Sequence, residues 1–263
     1  MSRHSSVLRT LVILNVAFLY LLVEPQTSKS QNGTVPILVE LFTSEGCSSC
    51  PPADLLLQKW DKNQPIPGAQ LILLSEHVTY WDHDGWKDPN SSAALTDRQD
   101  SYESALGSAT AYTPQMIVDG AHELHLRNSK ETEEVLVNAS RTPKLPMRIA
   151  GVAFNPANPA VLRMRVEVEA SDSKRADLYV ALALGHVESQ VLHGENGGKH
   201  LVHVAVVQQL SKVGKLQKGS PFTQEVELKL KSAIDSKNLR VIAFVQERGP
   251  GQVLGAAQWS PTR

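Results

Sequence analysis

The chain has two cysteines, Cys47 and Cys50, and they stand three residues apart. Sulfurs at this spacing at the start of a helix can come within disulfide distance, for which only a narrow geometry is allowed. The unpaired backbone N–H groups there favour an anion, and so favour thiolate over thiol. Such a pair can exchange with a disulfide: one sulfur attacks, the other resolves the mixed disulfide, and no cofactor is needed. Cys47, nearer the turn, is expected to be the exposed attacking sulfur, and Cys50, one turn in, the resolving one. Glu45 places a negative charge nearby that opposes thiolate formation. Pro51 and Pro52 lack N–H groups and are tolerated only in a first helical turn. Other chemistry uses the same residues. A structural disulfide would close a loop so small that the entropic gain is low. A zinc site commonly needs a second cysteine pair, which the sequence lacks. Cys47, Cys50 and His77 form a ligand set suited to a soft ion such as Cu(I). A binding module with a vestigial or inert pair is the remaining reading.

The flanking elements must position these sulfurs. Residues 37–42 read as a buried strand, residues 43–46 as a polar turn, and Ala53, Leu55, Leu56, Leu57 and Trp60 as an apolar helix face. Strand, C-x-x-C and helix in that order is the layout of a thioredoxin-like redox motif. Residues 70–75 read as a second buried strand, so a right-handed parallel β-α-β unit is predicted. The following segment, EHVTYWDHDGWKDPN, then leaves its strand at the edge where Cys47 lies. It brings His77, Trp81, Asp82 and Trp86 there as lining for a substrate groove, or else places His77 to tune Cys47. The plainer alternative has the tryptophans packing a long loop and the histidines facing water, as is expected for His83. A helix over 91–108 follows, then strands at 116–118 and 122–126 around an Asp119-Gly120 hairpin turn. Thr113-Pro114 stands just before them. A cis bond facing the C-x-x-C is expected there, offering the Thr113 backbone to a partner chain; a trans proline starting a strand is the alternative. Asn128 and Glu131 form a capping box for a last helix through 139.

Four stretches, ELFTSEGCSSCPPAD, HVTYWDHDGWKD, YTPQMIVDG and GENGGKHL, resemble family 1223 of the domains of unknown function, a family of exported bacterial proteins with a thioredoxin-like domain. The resemblance extends over most of the chain after residue 30. It implies a thioredoxin-like fold, with Cys47, Cys50 and Pro114 at the functional positions of that fold. Ser48-Ser49 departs from the Gly-Pro and Pro-His pairs of better-known oxidoreductases.

Residues 141–146 carry two prolines and no periodicity and read as a linker. Beyond them the pattern is strands only: alternating runs at 162–168, 178–184, 202–206, 226–230 and 241–245, with further segments near 147–154 and 253–257. About seven strands fit an antiparallel sandwich. The stretch 193–200, HGENGGKH, holds groups that could bind a cation, but a glycine-rich polar stretch between strands more simply serves as a connection. At the N-terminus, Arg3, His4 and Arg9 precede an apolar run over 11–23, the pattern of an export signal and short for a membrane span. Net charge is −1, with 26 basic and 27 acidic residues mixed throughout, which excludes a basic nucleic-acid surface. The predicted protein is therefore an exported α/β thioredoxin-like domain (34–142) followed by an all-β antiparallel sandwich domain (147–263), after a signal peptide or N-terminal anchor (1–30). Its partner is a protein or peptide thiol or disulfide, with membrane contact only through an uncleaved N-terminal segment. Cys47 and Cys50 carry the chemistry, and Thr113, Pro114, His77 and Trp81 bind the substrate.

Overall fold

The computed structural model describes residues 33–107, 110–170, 172, 175–230 and 234–261. The predicted export signal lies outside them. No helix among the described residues is long and apolar enough to cross a membrane.

The first half runs β1 (Val35–Thr43), α1 (Pro51–Asn63), β2 (Ala69–His77), α2 (Ala93–Leu106), β3 (Gln115–Val118), β4 (His122–Leu124) and α3 (Ser129–Arg141). The second half is β5 (Met147–Asn155), β6 (Asn158–Val168), β7 (Ala176–Gln190), β8 (His200–Leu216), β9 (Phe222–Lys229), β10 (Leu239–Glu247) and β11 (Val253–Trp259), with a 3-10 turn at Ser236–Asn238. The expected β-α-β unit is present. β1 and β2 are parallel in a register that sets Thr43 beside His77 at their carboxyl ends, the edge from which the C-x-x-C departs. α1 starts with Pro51 and Pro52 in its first turn, buries Ala53, Asp54, Leu57 and Trp60 along one face, and ends at Gln64 in the left-handed region. β1 also pairs antiparallel with β3. The β3–β4 connection is three residues, with Val118 paired to His122, and it turns on Asp119 and Gly120 at φ 48° and 68°. A Cβ on Gly120 would lie 2.5 Å from the Gly251 carbonyl oxygen, so only glycine fits.

The expected division into a thioredoxin-like domain and a separate antiparallel sandwich is overturned by the sheet topology. One mixed eight-stranded sheet runs β11-β10-β7-β8-β2-β1-β3-β4, and only β5-β6-β9 form a second, antiparallel sheet. The junction is a parallel bridge at Ser75↔Val206 between β2 and β8. The physical reason is the free edge. The first half leaves one side of β2 unpaired, and exposed strand edges are covered or paired in folded proteins. β8, 17 residues long, meets β2 at one point while pairing with the 15-residue β7 along most of its length. Alternating hydrophobicity reveals a strand but not its partner.

The cores follow the continuous sheet. Leu38, Ile72, Leu74 and Leu95 of the first half share a cluster with Ala183, Val207, Ile242 and Phe244 of the second. The small sheet lays Leu162, Met164 and Val166 against Leu178, Val180 and Val241. Beneath α2 is a buried charged knot. Arg98 donates from Nε to Glu40 Oε1 at 2.5 Å, and Tyr102 donates to Glu40 Oε2 at 2.6 Å. The Arg98 guanidinium lies 5.1, 5.6 and 5.2 Å from the ring centroids of Tyr102, Tyr179 and Phe244. Burial, reinforced by the neighbouring Glu40 carboxylate, holds the Glu76 carboxyl well above the usual range.

Candidate functional site

Cys47 follows the turn after β1, and Cys50 is the N-cap residue of α1. Their sulfurs are joined in a disulfide. Both cysteines are fully buried, which corrects the expectation of an exposed Cys47 beside a covered Cys50. The Ser49 hydroxyl lies 3.3 Å from the Cys47 sulfur and donates to the Thr113 carbonyl at 3.4 Å. The C-x-x-C loop and the strand entry at Thr113 thus face each other. The Thr113–Pro114 peptide is cis. Trp81 donates from Nε1 to Thr113 Oγ1 at 2.7 Å. It also packs on the C-x-x-C turn, where a Cβ on Gly46 would sit 3.0 Å from the Trp81 Cβ. A groove of about 570 Å³ opens beside these residues, lined by Ser49, Pro52, Leu56, Thr113, Pro114 and Leu126 among others. Trp81 buttresses the groove through Thr113 and is not among its lining residues.

His77 lies elsewhere. It is fully buried, with Nδ1 2.7 Å from Asp88 Oδ2, in a polar cluster beneath the C-x-x-C. Burial alone would lower the His77 pKa, but Asp88, helped by Asp54 and Glu45, outweighs it and raises the value. Burial acts to raise Asp88, and His77 together with the Glu45 and Asn90 backbone amides brings it below the ordinary range. Each shift favours the charged form, so the two make a buried ion pair. The His77 ring meets the His203 ring edge-on, with centroids 4.8 Å apart. Nδ1 of His203 is 3.5 Å from Asp54 Oδ1 and Nε2 is 3.9 Å from Glu45 Oε1. Glu45 accepts from Trp86 Nε1 at 2.8 Å and from Ser189 Oγ at 3.0 Å. Trp86 is therefore part of this support and His83 is exposed, while Asp82 accepts from the Ser91 hydroxyl at 2.8 Å. Among the described residues, no group of three or more His, Cys, Asp or Glu side chains is arranged to hold a metal ion. The disulfide consumes both thiolates that the Cu(I) reading required.

The stretch read as a connection supplies contacts that sequence reasoning missed. Residues 191–199 fold into a compact strap, closed by Val191 N–H to the Lys199 carbonyl (3.0 Å) and Gly198 N–H to the Val191 carbonyl (2.8 Å). Asn196, fully buried, donates from Nδ2 to the carbonyls of Glu45 (2.8 Å) and Cys47 (2.9 Å). Glu195 Oε2 accepts from the Ser48 backbone N–H at 3.0 Å. Gly194 lies so close to the 84–86 loop that a Cβ there would sit 2.9 Å from the Asp84 carbonyl oxygen. Its own composition marks this stretch as a turn, and nothing local shows that it docks on the cysteines. His203 was missed for another reason. Ala205 takes a left-handed φ of 52° and interrupts the alternation of β8, so His203 is buried along with its neighbours.

A search of curated proteins finds no match. Among solved structures, protein AGR_C_4864 from Agrobacterium tumefaciens is similar at 27% identity and a TM-score of 0.67, covering 88% of this chain and 96% of that one. A domain of the outer membrane lipoprotein Omp28 from Porphyromonas gingivalis matches 45% of this chain and 88% of its own, at 11% identity. Its TM-score of 0.28 carries no argument. A family profile described as "Protein of unknown function (DUF1223)" matches residues 38–246, in agreement with the resemblance read from the motifs, and the chain belongs to that family.

Proposed function

We propose that the protein exchanges thiols and disulfides with a protein or peptide partner, with Cys47 attacking and Cys50 resolving. The observation that supports this reading best is the placement of the Cys47–Cys50 disulfide at a helix start, one layer beneath the groove that Ser49 and Thr113 line, with Ser49 donating to the Thr113 carbonyl. A bond closing so short a loop gives little stabilisation by the chain-entropy argument. The surrounding polar cluster suits a site whose charge changes during turnover. In the groove, Thr113 and Pro114 border an extended partner segment, and main-chain pairing there would hold it as strand addition does. Trp81 keeps Thr113 in place, and His77 acts from below through the buried cluster. Stable disulfides persist in oxidising compartments, so export through the N-terminal apolar run belongs to the same proposal.

The test is capture and turnover. In Cys50→Ser, a mixed disulfide between Cys47 and a cysteine-containing peptide should accumulate, and Cys47→Ser should abolish it. The wild-type protein should accelerate reduction or oxidation of a disulfide-containing peptide over the uncatalysed exchange. No trapped adduct and no acceleration would leave a binding module with an inert pair as the better reading.

A further inference from the structure

We infer that the 193–198 segment of the strap, acting through Glu195 and Asn196, holds the Cys47–Cys50 pair in its disulfide state, so that the reduced protein is an electron donor. This rests on the exchange reading of the site and adds the direction of electron flow. The first observation is the donor supply at the helix start. A thiolate at Cys47 is favoured by free backbone N–H groups nearby. Pro51 and Pro52 have none, and the amides of Ala53 and Asp54 both donate to the Cys50 carbonyl, at 2.9 and 3.2 Å. The amide of Cys50 donates to the Cys47 carbonyl at 3.2 Å. The Ser48 amide, adjacent to Cys47 in the chain, is taken by the Glu195 carboxylate.

The second observation is charge. Glu45 is buried two residues before Cys47, in the cluster that also holds Asp54, His203 and the His77–Asp88 ion pair, and the Glu195 carboxylate accepts from the Ser48 amide next to Cys47. Lys199 is the cation on the strap, and its Nζ donates to Asn196 Oδ1 at 2.8 Å. A disulfide carries no charge, so the Glu195 carboxylate on the neighbouring Ser48 amide costs it nothing. A thiolate formed on reduction would be repelled by that carboxylate. The reduced state is thus raised relative to the disulfide, the opposite of the arrangement that makes a strong oxidant.

The third observation is access. Both sulfurs are fully buried, and Asn196 ties the strap to the carbonyls on either side of Gly46. Attack on the disulfide requires this tie to loosen. Glu195 sets the equilibrium, and Asn196 sets the rate.

In the donating direction the bonds balance. The Cys47 thiolate attacks one sulfur of the partner disulfide, and the departing partner thiolate takes up a proton. The Cys50 sulfur then attacks Cys47 in the mixed disulfide and gives up its proton. The second partner thiol is released, and the Cys47–Cys50 bond is restored. The protein dithiol is oxidised, the partner disulfide is reduced, and a more strongly reducing dithiol must recharge the pair.

The experiment uses the full chain in dithiothreitol redox buffers, with the oxidised fraction read by the mass added on alkylation. Glu195→Gln keeps an acceptor for the Ser48 amide and removes the charge. It should shift the equilibrium toward the dithiol about tenfold, equal to about 30 mV for a two-electron couple. Cys47 alkylation in the Cys50→Ser background should reach half-maximum at lower pH with Glu195→Gln. Asn196→Ala should speed reduction by dithiothreitol about tenfold, consistent with losing a buried hydrogen-bonded tie. His193→Ala, in the same strap, should change neither value. Unchanged equilibrium in Glu195→Gln together with an unchanged rate in Asn196→Ala overturns the inference. Glu195 is exposed, so its isosteric variant keeps the test valid if the buried asparagine variant fails to fold. These readings need no substrate. Lack of peptide turnover in the wild-type protein therefore overturns the exchange reading separately, while the strap's effect on the couple is still measured.

Discussion

At the scale of single residues, the His77–Asp88 pair carries the sharpest consequence. Both side chains are fully buried and 2.7 Å apart, and Asp88 also accepts from the backbone amides of Glu45 and Asn90 at 2.8 Å each. Asp88→Asn leaves a protonatable imidazole buried without its counter-charge, which typically costs about 3–5 kcal/mol. Urea unfolding should show a loss in that range, and a loss near zero would mean that water reaches the pair. The pH dependence follows from the two shifts. His77 is raised in the folded protein, so its contribution is complete below its unfolded pKa and disappears as pH rises through the folded value. Asp88 is depressed, so its contribution is complete above its unfolded pKa and disappears as pH falls through the folded value. The pair therefore stabilises most between the unfolded values, about pH 3.9 to 6.5. Wild-type stability should fall away from that window on both sides more steeply than Asp88→Asn stability.

At the scale of elements, α2 is held by chemistry as much as by packing. Its Arg98 crosses to Glu40 on β1, approaches Glu76 on β2 at 3.6 Å, and donates to Gln246 on β10 at 3.3 Å. Arg98→Ala would leave the Glu40 carboxylate buried without its cation and remove the guanidinium from between three aromatic rings. The expected loss is about 3–5 kcal/mol, measured by denaturant midpoint. A loss under about 1 kcal/mol would put the pair in the class of solvent-screened ones. The element pattern itself was legible. The strand, C-x-x-C and helix order, the Asp119-Gly120 turn and the cap at Asn128, whose side chain accepts from the Glu131 amide at 3.2 Å, all rest on neighbours in sequence. Such features are set by local backbone preferences, which a sequence displays directly.

At the scale of the whole molecule, the two halves share a sheet, a core and the candidate site. Arg240 on β10 makes a two-pronged ion pair with Asp61 on α1, at 2.5 and 2.8 Å, and Gln58 donates to the Val202 carbonyl at 2.6 Å. A fragment spanning 33–142 would expose Leu38, Ile72 and Leu74 and leave the β2 edge unpaired. It is expected to bind a hydrophobic dye and to lose hydrogen-exchange protection in β2, while the full chain does neither. Native-like protection of β2 in the fragment would show that the second half merely covers a self-sufficient unit.

By itself the sequence determined the cysteine pair, the elements that flank it and the strand character of the second half, because each depends on spacing and periodicity within a few residues. It also carried the family, through four short motifs. Only the tertiary structure decided that β8 joins β2, that His203 lies beneath the disulfide, and that Glu195 and Asn196 close over Cys47. Those contacts span more than 120 residues and link strand edges, buried carboxylates and a glycine-rich turn whose partners leave no local mark. The closing of a free sheet edge is a choice among all strands of the chain, and it is settled by which long-range pairing covers the most backbone and apolar surface together.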